Sequence, residues 1–107
     1  MVSLEIARDA SQIPLYAIPL TDAGQVCNLT ANTDTSFTVP ANARICIFGF
    51  SSANDYWVGS STVTIPSSGT PASANFLLNP PPLIVTGVAT LHVHAPVQCT
   101  ISLAFYA

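Results

Sequence analysis

His92 and His94 are the first residues with chemistry to offer, two apart in the run Thr90-Leu91-His92-Val93-His94-Ala95. On a strand, residues i and i+2 share a face, so both imidazoles point one way and Leu91, Val93 and Ala95 the other. Two imidazoles so placed chelate a metal once a third ligand joins them, as in the His-x-His of cupin-type enzymes. There is no third His, and Asp55 is the nearest acid along the chain. His92 and His94 are therefore weak metal candidates. The plainer reading is two polar side chains on a half-exposed strand; another brings one His from each copy to a threefold axis. Nucleophilic catalysis needs a Ser or Cys, a base and an orienting acid. His and Asp are scarce here, and no Gly-x-Ser-x-Gly elbow occurs. Four of the five acids lie in the first 34 residues, which disfavours a carboxylate pair for glycoside hydrolysis. No Gly-rich phosphate loop is present. The expectation is no enzyme, no catalytic residue and no cofactor.

Cys27, Cys46 and Cys99 are widely spaced and include no Cys-x-x-Cys pair. Each lies in an apolar run, so buried free thiols are expected; whether two of them bond is open. Asn54-Asp55-Tyr56-Trp57 is a candidate sugar patch, with rings to stack on a pyranose and polar groups beside them. Trp in such a strand more often fills a core or an interface. Arg44 has Asp55 as its most obvious charge partner. Asn28-Leu29-Thr30 is a glycosylation sequon that matters only on secretion.

The elements that must carry these residues read as strands. Val97, Cys99, Ile101, Leu103 and Phe105 alternate with Gln98, Thr100, Ser102, Ala104 and Tyr106, a period of two with one apolar face. Shorter runs recur at 25–30, 36–39, 43–50, 56–58, 62–65, 83–88 and 89–95, with a further short one at 75–78. Turn signals such as Ala31-Asn32-Thr33-Asp34, Pro40-Ala41-Asn42 and Ser51-Ser52-Ala53-Asn54-Asp55 separate them. Seven to nine strands at this spacing predict an all-β fold, a single β-sandwich with a jelly roll favoured over an Ig-like order. Residues 25–107 form that domain. Residues 1–24 differ: Pro14 and Pro19 punctuate an apolar stretch, which reads as an extended N-terminal arm or an edge strand, with one weak helical turn over 4–10.

Charge is sparse and uneven. Only 7% of residues are charged, against about 25% in ordinary domains. From Tyr56 to Ala107 there is no Asp, Glu, Lys or Arg. With two basic residues in all, the chain has no stripe for nucleic acid. No apolar run approaches the ~20 residues that span a bilayer, so no membrane partner is expected. Without a basic start and apolar run at Met1, the expectation is a chain that stays in the cytosol. An uncharged second half favours burial against copies of itself or a partner, since interface cores are depleted of charge.

The chain resembles a family of small virion proteins of tailed bacteriophages. The residues that carry the resemblance are Phe37-Thr38-Val39-Pro40-Ala41-Asn42-Ala43-Arg44, Asp55-Tyr56-Trp57-Val58, Leu78-Asn79-Pro80 and the closing Ile101-Ser102-Leu103-Ala104-Phe105-Tyr106. It spans roughly residues 35–107 and departs from the family in the 66–82 loop, where acids are expected and Ser, Thr, Pro and Ala stand instead. The resemblance implies a β-sandwich that decorates or cements the head, as a symmetric oligomer, often a trimer, with no catalytic residues.

The expected function is thus a capsid decoration or cement protein in the virion, assembled in the host cytoplasm, partnered by the major capsid protein or another virion protein. Ile13, Leu15, Tyr16, Ile18 and Leu20 are the expected arm contacts. Tyr56, Trp57, His92, His94 and Tyr106 are the expected self-association surface. The alternative is a carbohydrate-binding β-sandwich module of a virion tail or surface protein, and a third reading is a cupin-like metalloenzyme.

Overall fold

The computed structural model describes residues 1–4, 7–8, 10–12, 14–15 and 17–107. Among these there is no helix, and none, therefore, long and apolar enough to cross a membrane. Ten strands follow in order: β1 Ala7–Arg8, β2 Pro14–Leu15, β3 Gly24–Leu29, β4 Thr33–Thr38, β5 Ile45–Phe50, β6 Trp57–Gly59, β7 Phe76–Leu78, β8 Leu83–Ile84, β9 Thr90–Ala95 and β10 Cys99–Tyr106. β1 and β2 pair with each other. The other eight form two antiparallel four-stranded sheets, β3-β10-β5-β8 and β4-β9-β6-β7. The pairs are nested: β6 with β7, β5 with β8, β4 with β9, β3 with β10. The chain from 24 to 106 is thus one long hairpin, its tip at residues 60–75, wound so that its paired arms fall alternately into the two sheets.

The two sheets pack as a β-sandwich, and alternation explains the packing. β10 buries Cys99, Ile101, Leu103 and Phe105 on one side, and β9 buries Leu91, Val93 and Ala95. With Leu29, Phe37, Cys46, Val58 and Val85 they make one core. Tyr56 enters it from the start of β6, stacking on Phe50 at 4.3 Å between centroids. The chain's own turns set the register. Ala43 N donates to Pro40 O with Asn42 at φ 68°, and Val88 N donates to Val85 O with Gly87 at φ 79°. Both are turns whose third residue needs the left-handed region, which Gly and Asn occupy at least cost. The Pro-Ala-Asn signal is thereby explained.

Several expected elements differ. Residues 62–65 form no strand; that segment lies across the outside of β9 and bonds to side chains instead of a neighbouring backbone. The 83–88 run is a strand only over Leu83–Ile84, because Thr86 and Gly87 turn. Asp34 lies within β4, not in the preceding turn. In place of the helical turn over 4–10, Ala7 and Arg8 are in a strand, and Pro14 sits in its short partner.

The N-terminal segment leaves and returns at one place. Val2 O accepts from Ala107 N at 2.9 Å, and Val2 N donates to Asp22 Oδ1 at 3.0 Å. The Tyr106 hydroxyl donates to Pro19 O at 2.7 Å, Thr21 Oγ1 to Phe105 O at 2.7 Å, and Phe105 N to Ala23 O at 3.2 Å. Both feet of the β1–β2 excursion are therefore tied to the end of β10. The molecule is elongated, 53 × 28 × 27 Å. Its radius of gyration is 15.4 Å, above the ~13 Å of a compact chain of this length.

Candidate functional site

Residues paired in register share a sheet face, so the outside of β4-β9-β6-β7 can be laid out strand by strand. Ser36 faces His92, and Asp34 faces His94. His94 faces Trp57, and His92 faces Gly59. Trp57 faces Leu78, and Gly59 faces Phe76. Both histidines are therefore on the outer face, opposite the buried Leu91, Val93 and Ala95.

They are not free there. His92 Nδ1 donates to Asp34 Oδ2 at 2.8 Å, and the two side chains are only 19% and 22% exposed. His94 Nδ1 donates to Val63 O at 2.8 Å, while Val63 N donates to Asp34 Oδ1 at 2.9 Å. The Asp34 carboxylate and the His94 imidazole thus satisfy both backbone groups of Val63, His92 steadies the carboxylate, and together they pin Val63 onto the sheet. Val63 is 1% exposed. Room for it comes from Gly59: a Cβ there would lie 2.9 Å from Phe76 Cβ, 3.1 Å from Val63 Cγ2 and 3.2 Å from Asn75 O.

Each Nδ1 is held by a carboxylate or a carbonyl, which fixes the ring and leaves Nε2 as the other nitrogen; among the described residues no group of three or more His, Cys, Asp or Glu is placed to hold a metal ion. Ser36 lies across the strand from His92 and makes no hydrogen bond with it among the described residues. The cluster acts as a clasp for a covering segment.

Beyond the clasp, the 64–74 loop, Trp57 and Phe76 line an open cleft of about 630 Å³. The rings of Trp57 and Phe76 meet edge to face, 5.7 Å apart at 86°. Asn75 Nδ2 donates to Ser61 Oγ at 2.6 Å and closes the base of the loop. At the other end of the hairpin, Asn79 (φ 44°) accepts from Tyr56 N at 3.0 Å, donates its own N–H to Tyr56 O at 2.8 Å, and donates Nδ2 to Asp55 at 2.8 Å. That is the structural work of Leu78-Asn79-Pro80.

The expected surface residues are therefore dispersed. Trp57, His92 and His94 share one outer face. Tyr106 is on the other sheet, buried at 2% under Pro19, and Tyr56 is buried against Phe50; neither is available to a partner. The Asn54-Asp55-Tyr56-Trp57 patch is split, because Tyr56 and Trp57 point to opposite faces and Asp55 is held by Asn79. Arg44 is exposed and makes no ion pair with Asp55. Ile18 and Leu20 are exposed at 55% and 91%. Leu15 pairs with Ala7 through the backbone; Ile13 and Tyr16 lie outside the described residues. Cys46 and Cys99 are buried free thiols, and Cys27 is a half-buried one. Sequence reasoning missed Asp34, Val63, Gly59 and Phe76.

The opposite outer face, on β3-β10-β5-β8, carries Val26, Asn28, Thr100, Ser102, Ala104, Ile45, Ile47 and Ile84. None is charged, and Val26 and Ile84 are 72% and 81% exposed. No family model, no curated protein and no solved structure matches the chain.

Proposed function

We propose that the protein is a non-enzymatic bacteriophage decoration or cement protein, resident in the virion, that associates with copies of itself and with the major capsid protein or another shell component. The observation that carries this reading is the uncharged outer face of β3-β10-β5-β8, with Val26 and Ile84 largely bare and Ile45 and Ile47 half-buried between them. A face of that composition is stable in water at a cost, and a partner removes the cost. Ile18 and Leu20 add exposed apolar surface near the foot of the β1–β2 hairpin. The pinned feet and elongated envelope support that hairpin as the reaching element, in the place of a free arm.

The strand order supports a jelly roll. Eight strands paired 3 with 10, 4 with 9, 5 with 8 and 6 with 7 are what a long hairpin gives when rolled into two sheets, an architecture that viral capsid and lectin domains use. The resemblance to phage virion proteins points the same way, and three of its motifs have structural work here: the Pro40–Ala43 turn, the Asn79 clamp and the buried β10. Clamping stabilises a shell by mass action, because the clamp binds the assembled state.

Light scattering on a sizing column tests the self-association. A discrete oligomer, a trimer above all, is expected. A monomer at every concentration would overturn the reading of this face.

A further inference from the structure

The cleft at the tip of the long hairpin is a second feature, on the other sheet and independent of self-association. Its floor is Trp57 and Phe76, and its wall is the 64–74 loop. Hydroxyls of Thr64, Ser67, Thr70 and Ser73 line it, and no charged side chain does. Its ~630 Å³ lies within the roughly 300–1,000 Å³ of small-ligand sites. The floor is fixed from below: Gly59 lets Phe76 and Val63 approach the sheet, the Asp34–His92–His94 clasp holds Val63, and Ser61–Asn75 ties the base of the loop.

We propose that this cleft binds a neutral saccharide, with one sugar ring against the Trp57–Phe76 pair and its hydroxyls on the Ser and Thr rim. The charge balance selects the ligand. With no cation or anion in the lining, a phosphate, an acidic sugar or a charged peptide would lose its hydration without compensation. A neutral sugar offers an apolar C–H face to the rings and donors and acceptors to the hydroxyls.

The test uses the full chain, whose sole tryptophan is the reporter. Glucose, galactose, mannose, N-acetylglucosamine and maltose are titrated while Trp57 emission is followed, with saturation-transfer NMR on the sugar protons as the second readout. A saturable response with at least one sugar is expected. Trp57→Ala should weaken binding about tenfold or more, read by NMR. Because Trp57→Ala also removes packing against Phe76, Thr70→Glu and Ser73→Arg serve as the second arm: both positions are exposed. They should abolish binding at unchanged melting temperature. No saturable response at concentrations that fill a site of about 1 mM Kd overturns the proposal. So does a Pro-rich peptide that saturates the signal where no sugar does, or binding that survives both rim charges. A monomeric solution mass leaves this site standing, so the two proposals fail separately.

Discussion

The two outer faces of this sandwich start from the same alternation and end differently. On β4-β9-β6-β7 the outward residues are Asp34, His92, His94 and Trp57, and the chain folds its own 60–75 segment back over them. On β3-β10-β5-β8 they are Val26, Asn28, Thr100, Ser102, Ala104, Ile45, Ile47 and Ile84, aliphatic on the outer strands with short polar side chains between, and among the described residues Pro19 covers the corner at Tyr106. The difference is one of hydrogen bonding. A covering segment brings backbone N–H and C=O groups that must be satisfied once water is excluded. Asp34 and His94 supply acceptor and donor to Val63; the other face offers only the short side chains of Asn28, Thr100 and Ser102, two of which bond each other. An outer face with long polar side chains can thus be closed by an irregular segment of the same chain, whereas the mixed aliphatic and short-hydroxyl face is the one we propose a partner covers.

Changing the clasp should have the largest effect on stability. Asp34→Ala removes the acceptor of both Val63 N and His92 and leaves a buried N–H unpaired, which should cost about 2–3 kcal/mol. Urea denaturation measures it, and the solution mass should not change. Gly59→Ala follows at about 2 kcal/mol, because the new Cβ meets Phe76 and the Asn75 backbone and the loop must lift. Should Gly59→Ala cost nothing, Val63 and Phe76 are not held as tightly as their approach implies.

The core between the faces responds to alkali. Burial pushes the Cys46 thiol up to about 12. A raised thiol is neutral in the fold and ionises first in the unfolded chain. Its contribution is complete below the ordinary value of 9.0 and is lost as pH rises towards about 12. At about pH 10 the loss should be on the order of 1 kcal/mol. Chemical denaturation across that window measures it, and Cys46→Val should flatten the slope. Tyr106→Phe comes next, at about 1 kcal/mol, since it removes the one hydrogen bond from that ring to Pro19 O. Its melting temperature should fall slightly, and Ile18 and Leu20 should become more accessible to protease.

How much of this was legible in the sequence depends on how local each signal is. The last strand, the inward set of Ile101, Leu103 and Phe105, and the outward direction of His92 and His94 follow from alternation alone. Asp34 was misplaced because Asn32-Thr33-Asp34 reads as turn chemistry; yet the parity of Phe37, inward, already puts Asp34 and Ser36 outward. What parity cannot reveal is that β4 lies beside β9, so the carboxylate nearly sixty residues from His92 was invisible as a partner. Thr62–Ile65 has a strand's alternation, but the backbone groups of Val63 are satisfied by side chains, a choice that only tertiary packing makes. Tyr56 and Trp57 were read as one aromatic patch although neighbours on a strand point apart.

The smallest expected effect on stability separates the faces most cleanly. Val26 and Ile84 stand on β3 and β8, the two edges of the bare sheet, and are largely in water. Replacing either with Asp removes little packing and strains no turn, so melting should shift by less than about 0.5 kcal/mol equivalent. An interface across that sheet would now have to bury an unpaired carboxylate, which costs far more than the packing lost. The Val26→Asp/Ile84→Asp double variant should therefore stay folded and run at monomer mass, where Asp34→Ala loses stability and keeps its partners. If the double variant keeps the oligomer mass, the copies meet elsewhere. The exposed Ile18 and Leu20 beside the hairpin would then be the next residues to charge.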